Sequence, residues 1–294
     1  MPGFPIAKRT KRVLLGLIGS PISHSAAPAM HEAAARAAGM DLHYHLIEVA
    51  GAGSDDLVAM LDGVRRLGFS GVNVTFPYKE AVIPLLDALS PEAAAMGAVN
   101  TVVARDGRLT GHNTDATGFA TAYRAMQRQD SDRPVAIIGT GGVGKAIGFA
   151  LASCGVTNLR LFDVDRAKAQ ALADQLGRSA SVEIAVSVED AVTGAAGIVN
   201  GTPIGMLPNR DHPVPAGLIQ PSQWVADAVY HPLWTPLLIA ARNAGATVMT
   251  GRELSINQAV DAFALFTGVV PAHGAIAEAF DQALAAQETK DHAA

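Results

Sequence analysis

Cysteine is nearly missing from this chain of 294 residues: Cys154 is the only one. An intrachain disulfide is thereby excluded, and no second thiol stands ready for redox or metal work. Cys154 ends the apolar stretch Ala150–Cys154 and reads as a small buried hydrophobe. Long apolar runs are also missing. No uncharged stretch approaches the roughly 18 residues of a membrane span, and the N-terminus shows no apolar core followed by a small-residue cleavage site. The expectation is a cytoplasmic protein with no membrane partner. Basic charge is scarce, with 22 Lys and Arg against 27 Asp and Glu, a net charge of −5. That balance argues against a general nucleic-acid binder, and the run Lys8–Arg12 is expected to be a solvated tail. The nine histidines are scattered. None forms the spaced pair of a zinc helix, so no metal is expected, and His43 and His45 read as half-exposed positions of one strand. Trp224 and Trp234 read as packing residues.

What is present is a compact globular composition, 49% hydrophobic and 17% charged. Apolar runs alternate with helical patterns. Val13–Ile18 reads as a strand closed by Gly19-Ser20-Pro21, Ala27–Gly39 as a helix, Leu42–Val49 as a strand and Asp55–Leu67 as a helix. Gly71–Thr75 reads as a strand, Glu80–Leu89 as a helix and Val99–Ala104 as a strand. After a polar break at Gln127–Pro134 a second series begins. Its strands are Val135–Ile138, Leu159–Phe162, Val182–Val186, Gly197–Val199, Val225–Ala228 and Thr247–Met249. Ile256–Thr267 and Pro271–Gln287 read as helices. Strand–helix alternation predicts an α/β fold with parallel strands.

The segment Gly139-Thr140-Gly141-Gly142-Val143-Gly144 follows a strand and opens a helix. Glycines in that setting let the backbone turn tightly and approach a pyrophosphate, which rests on the amides of the helix N-terminus. The second strand of the series ends at Asp163. A carboxylate there can accept hydrogen bonds from both ribose hydroxyls of NAD and repels the extra phosphate of NADP. The plainer reading makes Asp163 a helix N-cap.

In the first half, Gly71–Lys79 ends a strand at Thr75 and blocks further pairing at Pro77. Lys79 is thus held near the strand's carboxyl end, where ligands of open α/β sheets collect. Gly97–Thr101 and Gly111–Gly118 each read as a glycine-bounded turn bearing polar side chains, among them Asp115. A lysine and an aspartate sharing one pocket can move a proton, the carboxylate orienting the ammonium. The plain readings are a surface lysine and an N-cap for a helix over Thr117–Met126.

The sequence resembles the shikimate dehydrogenase family over nearly its whole length. The matching blocks are Gly19–Ser25, Asn73–Lys79, Gly97–Thr101, Asn113–Asp115, Gly139–Val143, Asn200–Met206, Asp227–Pro232, Thr235–Leu238 and Gln258-Ala259. The resemblance implies an N-terminal α/β substrate domain (11–115) and a C-terminal Rossmann dinucleotide-binding domain (133–250). The C-terminal helices (256–287) return to the first domain, and the active site lies in the cleft. It implies Lys79 and Asp115 as catalytic residues. Substrate contacts are implied for Ser25, Thr75, Asn100, Tyr230 and Gln258, with Ser23 a further candidate beside them, and cofactor contacts for Gly139, Gly141, Gly142, Val143, Asp163, Thr202, Pro203, Gly251 and Leu254. The expected activity is hydride transfer between NAD and a ring hydroxyl of shikimate or quinate, by a monomer or homodimer whose partner is a small cyclic hydroxy acid. Asp163-Val164-Asp165, in place of the Asn-Arg-Thr typical of NADP-using members, looks like the NAD-using branch. One departure stands out. The family carries a second hydroxyl two residues after the first, and here that position is Ala27. Another cyclic polyol acid, such as an amino-substituted shikimate, therefore stays open as substrate, as does a non-catalytic dinucleotide-binding regulator.

Overall fold

The computed structural model describes residues 12–127 and 132–291. Residues 8–11 of the basic run and 128–131 of the polar break lie outside them. Twelve strands and ten α-helices alternate along the described chain.

The first sheet has the order β2-β1-β3-β5-β6-β4. Its strands are β1 (Arg12–Gly19), β2 (Asp41–Glu48), β3 (Gly71–Val74), β4 (Ala88–Leu89), β5 (Thr101–Arg105) and β6 (Arg108–His112). β1 pairs in parallel with β2 and β3. Being flanked on both sides and covered by helices, β1 is a nearly continuous apolar run. β5 and β6 form an antiparallel hairpin that pairs with β3.

The second sheet is β7 (Val135–Ile138), β8 (Asn158–Phe162), β9 (Ser181–Ile184), β10 (Gly197–Asn200), β11 (Trp224–Asp227) and β12 (Thr247–Met249). Its order, β12-β11-β10-β7-β8-β9, is parallel throughout. In chain order from β7 this is 3-2-1-4-5-6 read from the β9 edge, the doubly wound nucleotide-binding arrangement. The order reverses between β7 and β10, and the glycine turn leaves β7 at that switch.

Helices cover both sheets: α1 (Ala27–Ala37), α2 (Ser54–Arg66), α3 (Pro91–Met96), α4 (Thr114–Ala125), α5 (Gly142–Ser153), α6 (Arg166–Leu176), α7 (Val188–Val192), α8 (Pro236–Asn243), α9 (Gly251–Thr267) and α10 (His273–Asp291). The two C-terminal helices pack back on the first half. Ile256 and Phe263 of α9 and Ile276 and Phe280 of α10 share one buried cluster with Met30, Ala34 and Ala35 of α1. Met96 and Phe119, from α3 and α4, pack with Ile147 and Leu151 of α5. The two sheets are therefore joined by packed helices as well as by the chain.

Three local expectations are corrected. Glu80–Leu89 is not a helix but a set of turns, a short 3-10 turn at Ile83–Leu85 and strand β4. Pro84 has no N–H for a helix interior. The Asp87 carboxylate accepts from Arg65 at 2.7 Å and from the Leu109 amide at 2.6 Å, drawing the segment into the sheet. Gly111–Gly118 is not one turn, because β6 runs to His112 and α4 starts at Thr114. Its cap is Asn113, whose Oδ1 accepts from the amides of Asp115 and Ala116, so Asp115 is free of capping duty. Likewise the cap of α6 is Asp165, not Asp163. Three side-chain environments also differ from expectation. Cys154 is half-buried, His43 and His45 are exposed, and Trp234 is partly exposed with the Arg242 guanidinium 4.4 Å above its ring.

Candidate active site

The site is built where β3, β5 and the start of α4 meet. β3 ends at Val74, and the Thr75 amide still donates to the Ile18 carbonyl at 2.9 Å. The chain then turns so that Lys79 lies over the first turn of α4. Lys79 Nζ donates to Asp115 Oδ2 at 2.6 Å, with side-chain exposures of 15% and 10%. A charge-assisted contact this short and this dry holds both groups in one geometry.

The second oxygen of Asp115 is fixed as well. Asn100 Nδ2 donates to Asp115 Oδ1 at 2.9 Å and to Thr114 Oγ1 at 3.0 Å. Asn100 Oδ1 accepts from the Thr114 amide at 2.7 Å and from Thr101 Oγ1 at 3.0 Å. With two donors and two acceptor sites on its amide, Asn100 is fully engaged in this protein and serves as a brace for Asp115. Behind it lies a chain the motif reading did not single out. Asn73 Nδ2 donates to the Asn100 carbonyl and to Thr101 Oγ1, and Tyr44 Oη donates to Asn73 Oδ1 at 2.8 Å. Every one of these side chains is buried. The available signal was Asn73 itself, an amide inside the fully buried four-residue strand β3, where an unpaired polar group is costly.

The other substrate-side residues fall around this centre. Ser25 is half-buried just ahead of α1; its Oγ accepts from the Ala27 amide at 3.2 Å. Burial raises the pKa of the Tyr230 phenol, against the opposing influence of the Ser25 hydroxyl and the Ala26 amide nearby. Tyr230 packs edge-on against Phe280 of α10. Gln258 on α9 accepts from Thr114 Oγ1 at 3.5 Å and donates to the Ser255 carbonyl. That approach requires Gly118, since a Cβ there would sit 2.6 Å from the Gln258 backbone nitrogen. Ser23 is exposed and takes no part in these bonds.

The nucleotide-binding features converge on the same place. Gly139 holds φ +89, a left-handed backbone suited to glycine. Gly201 and Thr202 press against it so closely that no side chain fits. Gly141, the N-cap of α5, faces open space, and a Cβ on Gly142 would lie 3.2 Å from Cδ of Lys79. The glycine turn therefore abuts the lysine. Open backbone amides at a helix N-terminus are the donor set a pyrophosphate needs, so the residues fit a dinucleotide. Asp163 Oδ2 accepts from the Thr140 amide at 2.7 Å and from its hydroxyl at 3.0 Å, and Oδ1 accepts from the Asp165 amide. Oδ2 is thereby fully used, while Oδ1 keeps one lone pair for a further donor. Val164 beside it is 96% exposed. The Thr202 hydroxyl bonds Asn200 Oδ1, Pro203 is exposed, and Gly251 starts α9 against the Val229 carbonyl. Val143 is partly buried against the apolar cluster around α5, in which Leu254 is itself buried. Asp227 closes β11 and binds Asn200, Thr235 and the Val229 amide; burial lifts its pKa to about 6. Among the described residues no group of His, Cys, Asp or Glu is arranged to hold a metal ion, and no helix is long and apolar enough to cross a membrane.

Comparison with known proteins agrees with this architecture. A family model for the shikimate dehydrogenase substrate-binding domain matches residues 17–102. A quinate/shikimate dehydrogenase (NAD(+)) of Corynebacterium efficiens is 46% identical over 267 residues, 88% of this chain and 94% of the relative. A shikimate dehydrogenase (NADP(+)) of Streptomyces avermitilis is 43% identical over 88% of this chain and 91% of its own length. The solved structure of a quinate dehydrogenase from Corynebacterium glutamicum in complex with NAD superposes with a TM-score of 0.85 at 40% identity, covering 92% of this chain and all of that one. With a lysine–aspartate centre abutting a glycine turn on a doubly wound sheet, and relatives this similar over nearly their full length, this chain belongs to the shikimate dehydrogenase family.

Proposed function

We propose that this protein is an NAD-dependent dehydrogenase of a cyclic hydroxy acid, shikimate or quinate, with Lys79 and Asp115 as its proton-transfer pair. The domains are 11–115, rejoined by 256–287, and 133–250. The observation that carries the reading is the 2.6 Å contact of Lys79 with Asp115 directly beside the Gly142 turn. Oxidation of an alcohol needs a base at the hydroxyl and a hydride acceptor at the carbon, close together. When bound, the oxidised nicotinamide supplies that acceptor. Neutral Lys79 Nζ takes the hydroxyl proton and becomes an ammonium. Asp115 receives that charge on Oδ2 without moving, because Asn100 already fixes Oδ1. In the reverse direction the same ammonium returns the proton to the ketone oxygen. Ser25, Thr75, Asn100, Tyr230 and Gln258 line the substrate site, Asn100 also bracing Asp115, and Ser23 lies at the rim. The turn from Gly139 to Val143 would hold the pyrophosphate, and Thr202, Pro203, Gly251 and Leu254 are the further residues that would contact the cofactor.

NAD rather than NADP follows from Asp163. Its carboxylate, fixed by Thr140, offers the open site on Oδ1 to a ribose hydroxyl and repels a phosphate, and the neighbouring Val164 brings no cation. Relatives of both cofactor classes are known, so the assignment rests on this site. The test is reduction of NAD and of NADP with shikimate, quinate, an amino-substituted shikimate and a carboxylate-free analogue. Quinate or shikimate with NAD is the expected best pair. NADP preferred by the unaltered protein would sink the Asp163 argument, and equal use of the carboxylate-free analogue would sink the substrate.

A second reading, another cyclic polyol acid, is favoured by Ala27. A methyl group there leaves a substrate carboxylate short of one donor, a loss of roughly 1–3 kcal/mol if nothing replaces it. Higher turnover of the amino-substituted compound than of shikimate or quinate would favour this reading.

A further inference from the structure

Lys145 sits in the first turn of α5, its amide bonded to the Gly141 carbonyl at 2.8 Å. Helical side chains lean toward the N-terminus, so its stem runs back along the glycine turn. Its side chain is only 11% exposed, and Nζ meets Glu80 Oε1 at 2.8 Å across the cleft. Glu80 directly follows Lys79. The two residues thus grip the same helical turn at two points. One is steric, the stem of Lys79 against Gly142; the other is ionic, Glu80 against Lys145.

An ion pair between exposed side chains contributes little, and Glu80 itself is 55% exposed. Lys145 is different. Its side chain is largely enclosed, so removal of the carboxylate partner leaves an ammonium with little water and no counter-charge beside it, which is unfavourable. The pair therefore resists separation of the turn from the Lys79 segment. Nothing in the proton-transfer chemistry requires Glu80 or Lys145 as a donor or acceptor.

We propose that Glu80 and Lys145 form a clasp between the two halves that sets the distance from the glycine turn to Lys79, making Glu80 a positioning residue for the reaction. This rests on the reading of Lys79 and the glycine turn given under Proposed function. Hydride and proton leave neighbouring atoms of the substrate, so an error of about 1 Å between the turn and the lysine costs rate more than binding.

The test uses Glu80→Gln, Lys145→Gln, Glu80→Asp and the charge exchange Glu80→Lys with Lys145→Glu. Amide hydrogen exchange is followed in segments 78–83 and 139–146 of the cofactor-free protein, and NADH binding is followed by fluorescence. Both segments are expected to exchange faster together in the single Gln variants, by about threefold or more, and to recover in the charge exchange. With NAD and quinate or shikimate, kcat should fall about 5–10-fold in Glu80→Gln. The substrate KM and NADH affinity should stay within about twofold. Glu80→Asp, which keeps the charge on a shorter arm, should lie between and guards against a charge exchange that fails to fold. Added potassium chloride should narrow the difference in kcat between the unaltered enzyme and Glu80→Gln, a response that a purely packing role does not produce. Unchanged exchange in 139–146 with unchanged kcat overturns the clasp, as does faster exchange confined to one segment. If the unaltered protein oxidises none of the cyclic acids, the functional reading fails by itself, while the exchange rates still decide whether the clasp exists.

Discussion

Lys79 and Asp115 take their character from what surrounds them. Asn100 spends its whole amide on Asp115, Thr114 and Thr101, so the carboxylate meets Lys79 in one orientation. Lys79→Ala should lower kcat by about 100-fold or more while NADH binding, read by fluorescence, stays near that of the unaltered protein. Asp115→Asn, which keeps the shape and loses the charge, should do the same; near-normal turnover in either would remove that residue from the chemistry. His31 is a different kind of residue. It is buried, stacked on Tyr44 at 4.9 Å, and neither ring nitrogen has a hydrogen-bond partner. Burial lowers its pKa to about 3. The folded protein therefore keeps His31 neutral while the unfolded chain takes up a proton near pH 6.5. Its contribution is complete above pH 6.5 and is lost as pH falls toward 3, amounting to about 2 kcal/mol by pH 5. Asp227, with its raised pKa, acts in the opposite sense, so the comparison must be between variants. Urea unfolding of the unaltered protein and of His31→Phe at pH 7 and pH 5 should show the variant losing less stability by about that amount; equal losses would mean that His31 protonates in place.

At the scale of elements, the crossing of α4 and α9 matters most for the site. α4 presents Asp115 and α9 presents Gln258, and the two helices touch at Gly118. The obstacle to a side chain there is the backbone of α9, which cannot swing aside as a flexible side chain can. Gly118→Ala should cost about 1–3 kcal/mol through overpacking, measured by denaturant unfolding, and should raise the substrate KM by displacing Gln258. A stable variant with unchanged KM would show that the helices separate without disturbing the pocket. The β3–Lys79 segment is the other critical element. Its short strand and the turns after it replace the regular helix that the apolar spacing of Glu80–Leu89 suggests, and this brings Glu80 to Lys145.

At the scale of the molecule, the C-terminal helices complete the first half. Phe280 is fully buried among residues of α1, α9 and α10, and its ring packs on Tyr230. Phe280→Ala should destabilise by about 3–5 kcal/mol. It should also weaken substrate binding, because Tyr230 loses its support; calorimetric or urea unfolding together with KM would check both. A loss of stability without a change in KM would separate the core from the pocket. The cofactor choice also belongs to this scale, since Asp163 directly follows β8 and meets the glycine turn through Thr140. Asp163→Ser combined with Val164→Arg should shift kcat/KM toward NADP, and retention of the original preference would place the discrimination elsewhere.

The sequence by itself determined most of the succession of strands and helices along the chain, the glycine turn after β7, and the presence of a lysine and an aspartate in motifs of one family. These features are local. A left-handed φ, a missing N–H at proline or an alternation of apolar and polar residues acts within a few positions. Even so, local signals misjudged Glu80–Leu89 and the cap of α4. There the outcome depended on Asp87 finding Leu109 and Arg65, and on Asn113 taking the cap before Asp115 could. The tertiary structure alone decided partners. Lys79 and Asp115 are 36 residues apart, and Glu80 and Lys145 are 65 apart. The chain Tyr44–Asn73–Asn100–Asp115 assembles from β2, β3, the residue before β5 and α4. A polar side chain must find a partner once it is buried, but which partner arrives is fixed by the packing of whole helices and sheets, and no short stretch of sequence contains that information.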